Sequence, residues 1–319
     1  MAEGGVVVAA AARKDREKRP MVKPLWVVLT PSVDHEGWLK ALAQTADQSG
    51  REFSQLWVKP EPRATSLPPA LYVTHDAAVV EDADPADVVV IMPQPETAAE
   101  KIAELYDLYL PHSMYTASMF LSKAAALGTQ TRMLTAHQLA RNPKQIELFP
   151  GVIVEPPLPE RGQTRPAVST ALSMYRLGRP QPGLTVSWSE RLFVYEPKSC
   201  VEGAQLGMLD ISGRPRTLVF GPFLALPPGR WKAIMRFAID EPATQYPFRF
   251  DWGLATDYVE ETVTPVEPGV YEIELEHAVE ELGYWQFRVV LSQGAFDGKL
   301  MFQGGTVMRV EEAVQQAAA

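Results

Sequence analysis

The sequence is poor in cysteine, and this scarcity limits its covalent and metal chemistry. Cys200 is the only cysteine among 319 residues. One thiol cannot form an intrachain disulfide or supply a zinc site built from several cysteines. Proteins of oxidising compartments commonly carry disulfides. The sequence therefore predicts a reducing environment, and we expect a cytoplasmic protein.

Long apolar runs and an excess of positive charge are also missing. No stretch approaches the roughly 20 consecutive apolar residues of a bilayer-spanning helix, so we expect no membrane span. The apolar stretch 6–12 precedes the charged cluster 13–19, which reverses the order of a secretory signal. A net charge of -9 and a pI near 5.2 do not suit a protein that grips a phosphate backbone. We expect no nucleic-acid partner.

Glycine-rich phosphate loops are absent where they would be needed. The apolar run Pro24 to Thr30 predicts a first strand, and the segment that follows has no glycine before Gly37. Neither G-x-G-x-x-G nor a Walker loop fits there. His75, His112 and His137 lie too far apart in sequence to form a recognisable metal-ligand set, and no calcium-type D-x-D-x-D loop is present. We expect no cofactor and no metal.

The first half alternates apolar runs with helical spacing. Trp38, Leu39, Leu42 and Ala46 predict a helix that Gly50 ends. Further strands are predicted at 53–58 and 87–92, and helices at 96–110, 113–127 and 136–141. Such alternation favours a parallel sheet. Residues 22–154 resemble half of a doubly wound domain, flavodoxin-like or glycosyltransferase-like, so we predict a small Rossmann-like α/β domain there, preceded by a disordered tail at 1–21.

Two groups of polar residues in this half have competing interpretations. Asp34, His35 and Glu36 follow the first strand and could supply a base or a metal ligand, but Ser32 or Asp34 is also a natural helix N-cap, and we favour capping. Glu96 and Glu104 are eight residues apart, as in some glycosyltransferases. A solvated acidic helix face explains that pair better.

The second half changes to a period of two. Apolar residues alternate with polar ones at 231–239, 248–252, 271–275 and 285–291, and turns separate these runs. Several short strands predict a sandwich or barrel. We therefore predict an antiparallel β-sandwich at 184–311, joined through a proline-rich linker at 155–183 that contains a short helix near 167–177, and a disordered tail at 312–319.

Two turns of this half have the same plan, with proline, then glycine, then an aromatic residue at the start of the next strand: 226–231 and 266–271. The segment Phe220 to Trp231, together with Phe302 to Val307, resembles the jelly-roll domains of carbohydrate-binding-module type. That resemblance implies a jelly-roll fold. It also implies association with bacterial glycosyltransferases and other proteins of polysaccharide biosynthesis, where such domains often occur.

A sugar-binding sandwich needs aromatic faces for pyranose C–H surfaces and polar groups for the hydroxyls. The candidate carbohydrate-binding residues are Tyr246, Arg249, Asp251, Trp252, Tyr258 and Trp285. Each strand aromatic has a competing interpretation as core, and we favour that interpretation for any single one. Tyr246 and Tyr258 stand at predicted loop positions, so we expect these two to be exposed.

The stretch 257–281 contains nine carboxylates and no lysine or arginine. A solvated acidic strand face explains it best, and a dock for a basic protein partner is the alternative.

Three functions remain open from the sequence. The first is a carbohydrate-recognising accessory protein of bacterial polysaccharide or glycoconjugate biosynthesis, which we favour. The second is a glycosyltransferase-like enzyme that holds a sugar nucleotide in its α/β domain. The third is a non-enzymatic assembly protein that uses its sandwich as an interaction module. The glycan, any catalytic residue and the oligomeric state are not determined at this level.

Overall fold

The computed structural model describes residues 23–56, 68–127, 130–141, 143–160, 162 and 165–310. The predicted tails at 1–21 and 312–319 lie outside the described residues, as do positions 57–58 of the predicted second strand. The strands are β1 Leu25–Leu29, β2 Glu52–Gln55, β3 Ala70–Thr74, β4 Val88–Met92, β5 Arg132–Thr135, β6 Ile146–Phe149, β7 Val152–Val154, β8 Thr185–Trp188, β9 Val194–Tyr195, β10 Met208–Asp210, β11 Arg216–Leu226, β12 Gly229–Ile239, β13 Phe248–Gly253, β14 Tyr258–Val263, β15 Gly269–Val279, β16 Gly283–Leu291 and β17 Lys299–Arg309. The α-helices are α1 His35–Gln48, α2 Ala98–Tyr106, α3 Leu110–Ala126, α4 Ala136–Leu139 and α5 Pro166–Leu172.

The first half contains a five-stranded parallel sheet in the order β2-β3-β1-β4-β5. The parallel pairing confirms the expectation drawn from strand and helix alternation. Two of its strands, β3 and β5, escaped the sequence analysis. Both are four or five residues long, and an apolar run this short does not distinguish a buried strand from other buried segments.

Both faces of the parallel sheet are covered. On one face, alternate side chains of β1 and β4 bury against α1 and the β6–β7 hairpin. On the other face, the remaining alternate side chains bury against α2 and α3. The near-continuous apolar sequence of β1 and β4 follows from this two-sided burial. The helices after the neighbouring strands β1 and β4 thus leave on opposite faces, which opens a crevice at the carboxyl ends of these two strands.

The two helices predicted at 96–110 and 113–127 correspond to α2 and α3, with the break between them placed a few residues earlier. A 3₁₀ turn at Pro95–Thr97 leads into α2, and Asp107 ends α2 in the left-handed region at φ 51°. The chain then enters α3, where Pro111 occupies the first turn and needs no helical hydrogen-bond donor. Asp107 thus separates α2 from α3, and α3 contacts β11 of the second half.

The second half is a sandwich of two five-stranded antiparallel sheets. One sheet has the order β10-β17-β12-β15, with β8 added beside β17, and the other has the order β14-β13-β16-β11-β9. Four of its strands, β12, β13, β15 and β16, confirm the predicted alternating runs. An aromatic core fills the space between the sheets and includes Trp188, Trp231, Trp252, Trp285, Phe237, Phe250, Phe287 and Phe302. The jelly-roll assignment stays a prediction.

One apolar cluster runs through both halves of the molecule. The segment predicted as a linker takes part in it, because Val168 and Leu172 of α5 and the following Tyr175 are buried. At the same junction, α3 lies on one end of the β11–β16 pair, where the ring of Tyr115 stacks on Tyr284 with centroids 3.5 Å apart.

The buried backbone of Ala225 is the polar centre of this junction. Its N–H donates to Ser118 Oγ at 2.9 Å. Its carbonyl accepts from Ser122 Oγ at 2.8 Å and from the Tyr175 hydroxyl at 3.1 Å. Burial raises the pKa of Tyr175 far above its ordinary value, so the hydroxyl keeps its proton and remains a donor. Side chains of α3 and Tyr175 therefore provide the hydrogen-bond partners of a buried backbone segment in β11.

We expect Ser118→Ala to lower the free energy of unfolding by about 1–3 kcal/mol, because it leaves the buried Ala225 N–H without an acceptor. Urea denaturation at neutral pH measures the change. Ser173→Ala is the matched control, since Ser173 Oγ donates only to the Thr170 carbonyl in an exposed position. Equal, small losses for both variants would show that the junction bond contributes nothing beyond an ordinary surface bond.

Candidate functional site

The outer face of the β14-β13-β16 sheet brings charged residues into one row. In β13, Phe248, Phe250 and Trp252 point into the sandwich, so Arg249 and Asp251 point outward. The antiparallel register places Glu260 of β14 on one side of Asp251 and Arg288 of β16 on the other. We call the outward side chains of Arg249, Asp251, Tyr258, Glu260 and Arg288 the Asp251 face.

Asp251 is the centre of this face and is only 1% exposed. Its Oδ1 lies 3.0 Å from Arg249 Nε, and its Oδ2 lies 3.0 Å from Arg288 Nε. Burial raises the pKa of the Asp251 carboxyl, and the guanidinium groups of Arg288 and Arg249 oppose that rise. The two arginines thus compensate a carboxylate that water does not reach.

Tyr258 and Glu260 form the exposed rim of the Asp251 face. The Tyr258 ring is 37% exposed, and the guanidinium carbon of Arg288 lies 4.3 Å from its centroid. Glu260 is exposed, and its Oε2 lies 3.7 Å from Arg249 Nε. Arg288 Nη2 is buried and has no hydrogen-bond partner among the described residues. The face therefore combines an aromatic ring with planar donors and acceptors whose positions are fixed.

Three of the six predicted carbohydrate-binding residues meet on this face: Arg249, Asp251 and Tyr258. Tyr258 is the first residue of β14 rather than a loop residue, and it is exposed as expected. Arg288 was missed by the sequence analysis, although a usable signal was present. Because Phe287 and Val289 face inward, Arg288 must face outward on the strand next to β13.

The other three predicted residues lie elsewhere and are buried. Trp252 and Trp285 are fully buried in the sandwich core, where their ring centroids are 4.8 Å apart. Tyr246 is 5% exposed, and its hydroxyl accepts from the Phe296 N–H at 3.0 Å. The expectation that Tyr246 is exposed is therefore wrong, because the loop that carries it packs beneath the segment at 296. None of the three rings presents a face to a ligand.

The acidic stretch 257–281 is interleaved with positive charge from a neighbouring strand. Glu276 pairs with Arg230, and Glu274 pairs with Lys232 at 2.5 Å. Both cations belong to β12, which lies beside β15 throughout. Two of the nine carboxylates are thus paired with cations of β12. A basic protein partner for this stretch stays a prediction.

The carboxyl edge of the parallel sheet holds a cavity of about 760 Å³, within the range of small-molecule sites. It lies beyond the carboxyl ends of β1 and β4, and residues of the proline-rich segment 156–160 line it. Its polar lining consists of Asp34, Gln94, Glu96, His137, Glu160, Ser173 and Arg176. We call this cavity the crevice.

Two carboxylates of the crevice contradict the sequence interpretation. Asp34 makes no capping bond to α1. It accepts instead from Gln94 Nε2 and from the Glu160 N–H, both at 2.5 Å, so it ties the carboxyl edge to the segment above it. Ser32 is no cap either, because its buried Oγ has no partner among the described residues.

Glu96 is not part of a solvated acidic helix face. Its side chain is 17% exposed, and its Oε1 accepts from Arg176 Nη2 at 3.0 Å. Its Oε2 is buried without a partner in the described structure, which leaves an acceptor available in the crevice. Glu104, by contrast, is exposed and pairs with Lys101.

Two buried histidines lie beside the carboxyl edge. The Nε2 atom of His75 is 2.7 Å from the Tyr106 hydroxyl, while His35 Nδ1 has no partner among the described residues. Burial lowers the pKa of both imidazoles from 6.5 to about 4, and the proximity of His35 lowers the pKa of His75 further. Both rings are therefore neutral at pH 7.

In the part of the chain that the structure describes, no group of three or more histidine, cysteine, aspartate or glutamate side chains is arranged to hold a metal ion. None of the described helices is both long enough and apolar enough to cross a membrane.

The sequence matches no protein-family model and no curated protein. Similar solved structures include the carbohydrate-binding module TmCBM61 in complex with β-1,4-galactotriose, with 10% identity over 37% of this chain and 80% of that chain and a TM-score of 0.26. A family 16 carbohydrate-binding module shows 11% identity over 34% of this chain and 79% of that chain, with a TM-score of 0.25. The glycosylation-associated Gap123 complex from Streptococcus agalactiae shows 10% identity over 39% of this chain and 48% of that chain, with a TM-score of 0.21.

We expect the free energy of unfolding to fall as the pH is lowered from 7 to 4. The unfolded chain binds protons at His35 and His75 near pH 6.5, whereas the folded chain binds them only near pH 4. Acid therefore favours the unfolded state, by at most about 3 kcal/mol per histidine. Urea denaturation at pH 7, 6 and 5 measures this slope.

His35→Gln should flatten the slope, because it removes one of the two proton-binding differences. Ser32→Ala is the matched control at a buried neighbour that does not titrate, and it should change stability equally at each pH. A His35→Gln slope equal to that of the unmodified protein would contradict the assignment.

Proposed function

We propose that this protein recognises carbohydrate through the Asp251 face, as an accessory protein of bacterial polysaccharide or glycoconjugate biosynthesis. The observation that carries the proposal is the pairing of an exposed tyrosine ring with fixed planar charged groups on an open sheet face. Pyranose rings offer one apolar C–H surface and several hydroxyls, and this face offers a counterpart to each.

The aromatic contact is supplied by Tyr258. Its ring is held by the Arg288 guanidinium, so it has little rotamer freedom left to lose when a ligand binds. Its exposed area provides a hydrophobic surface on which a sugar ring can stack.

The hydroxyl contacts are supplied by Arg249 and Glu260 at the rim. A sugar hydroxyl both donates and accepts, so it can accept from the Arg249 guanidinium and donate to the Glu260 carboxylate. Asp251 holds Arg249 and Arg288 in place from below and acts as a positioning residue.

The biosynthetic setting rests on the resemblance of segments 220–231 and 302–307 to domains that accompany bacterial glycosyltransferases. A cytoplasmic location is part of the proposal, and the exposed, unpaired Cys200 supports a reducing compartment.

We expect Tyr258→Ala to weaken glycan binding about fivefold or more, since an aromatic contact of this kind is worth roughly 1 kcal/mol beyond its buried area. A glycan array selects the ligand, and calorimetric titration measures its affinity. Arg249→Gln should weaken the same ligand because it removes a charged donor.

Phe296→Ala is the matched control, since Phe296 is almost fully exposed in a loop outside the Asp251 face. It should leave the affinity unchanged. The absence of any saccharide ligand, or equal effects of Tyr258→Ala and Phe296→Ala, would rule out this face as the sugar site.

A second function is favoured by one specific observation, the unpartnered Oε2 of Glu96 in the crevice. Open parallel sheets bind ligands at such a switch point, and a buried carboxylate there suits the hydroxyls of a ribose or sugar. This alternative is a glycosyltransferase-like enzyme that holds a sugar nucleotide in its α/β domain. The crevice supplies no glycine-rich loop for the phosphates, which is why we place it second.

Thermal shift with a panel of nucleotide sugars tests the alternative. A genuine ligand at 100 times its dissociation constant stabilises the protein by about 2.7 kcal/mol. Glu96→Gln should abolish the shift, because the amide provides a donor where the ligand needs an acceptor. Arg176→Gln breaks the Glu96 ion pair but keeps the carboxylate, so its shift should persist. No shift with any nucleotide sugar would remove this alternative.

A further inference from the structure

A groove of about 1090 Å³ lies where the two halves of the molecule meet, between α3, α5 and the β9–β11 edge. It is separate from both the Asp251 face and the crevice. Its volume is slightly above the usual range for small-molecule sites, about 300–1,000 Å³. The lining consists of Tyr109, Pro111, His112, Met114, Tyr115, Arg165, Pro166, Ala167, Val168, Arg191, Leu192, Phe193, Val194, Leu206, Pro222 and Phe223.

The groove concentrates apolar side chains that the fold leaves in contact with water. Tyr109 is 64% exposed, Leu206 is 47% exposed and Val194 is 45% exposed. They come from three different parts of the chain, and the half-buried Phe223 lies among them. Contiguous exposed apolar surface of this kind marks a binding site.

The charge of the groove is opposite to that of the whole chain. The chain carries a net charge of -9, yet the charged residues of the lining are Arg165 and Arg191, with no aspartate or glutamate. Arg191 is largely exposed, and the nearest paired carboxylate, Glu190 Oε1, lies 3.8 Å from its Nε. Such an exposed pair is weak, so the Arg191 guanidinium remains able to bind an anion.

We propose that this groove binds a free, single-chain anionic amphiphile of the fatty-acid type. The apolar lining takes the hydrocarbon chain, and Arg165 and Arg191 take the carboxylate. Hydrocarbon burial provides a favourable free energy proportional to the apolar area removed from water, and a carboxylate forms strong charge-assisted hydrogen bonds with a guanidinium.

The two arginines of the groove lining also argue against the N-terminal stretch of this chain as the occupant. The apolar stretch 6–12 is followed directly by a cluster that contains Arg13, Lys14, Arg16, Lys18 and Arg19. Its excess positive charge has the same sign as the two arginines of the groove lining. An anionic head group is the complementary choice.

Calorimetric titration of the full chain with sodium dodecanoate, below its critical micelle concentration, tests the proposal. We expect saturable binding at one site. The double variant Arg165→Gln with Arg191→Gln should weaken it about tenfold or more, because two charged donors are lost. Val194→Asp should weaken it as well, because it places a carboxylate in the apolar lining. Dodecyltrimethylammonium has the same chain with the opposite charge and should bind much more weakly.

Arg236→Gln is the matched control on an exposed position of β12 outside the groove, and it should leave dodecanoate binding unchanged. Tyr258→Ala should also leave dodecanoate binding unchanged, because Tyr258 does not line the groove. The proposal for the groove is therefore tested independently of the proposal for the sugar site. Equal binding of both amphiphiles, or no binding of dodecanoate, would overturn the proposal. So would binding of the protein to phosphatidylglycerol vesicles without binding of monomeric dodecanoate, or a dimer in light scattering that Val194→Asp dissociates.

Discussion

The packing of α3 on one end of the β11–β16 pair is the contact on which the rest of this structure depends. Side chains of α3 and Tyr175 form hydrogen bonds there with the buried N–H and carbonyl of Ala225. This packing also merges the two apolar cores into one cluster. Because a helix covers only part of a sheet face, the same contact leaves the opposite end of that face open to solvent. Residues of α3 line the groove, and the Asp251 face lies on β13, β14 and β16.

Two carboxylates that are largely shielded from water, Asp251 and Glu96, lie in the two proposed ligand sites. Burying an ion pair is costly in desolvation, and replacement by apolar residues is often neutral or stabilising. Asp251 nevertheless lies between two arginines on an outward face, and Glu96 keeps one unpartnered oxygen in the crevice. Neither arrangement is explained by stability alone. A binding role gives each of them a physical reason, since polar groups held in fixed positions need little reorganisation when a ligand arrives.

The sequence pattern was informative where one periodicity decided the outcome. The alternation at 248–252 and 285–291 predicted the strands β13 and β16 correctly. The same alternation places Arg249 and Asp251 on the face opposite to Trp252, although the candidate site had grouped the three residues together. It failed where a position depended on remote contacts. Tyr246 directly follows a short 3₁₀ turn and was expected to be exposed, but it is buried, and its hydroxyl accepts from the backbone N–H of Phe296, fifty residues later. Asp34 had the identity of a helix cap, but its partners are at positions 94 and 160.

Local sequence determined the two-part architecture of this protein, because the spacing of apolar residues depends on the geometry of the helix or strand that carries them. Whether the strand aromatics form the core or a sugar platform was left open by the sequence, and the packing of the two sheets places Trp252 and Trp285 in the core. The tertiary structure alone decided which polar residues meet, since Arg288 approaches Asp251 through strand pairing and Arg176 approaches Glu96 across eighty residues. Sites built from distant segments leave no periodic signal in the sequence. They arise from the register of the sheets and from the packing of α3, which no local pattern specifies.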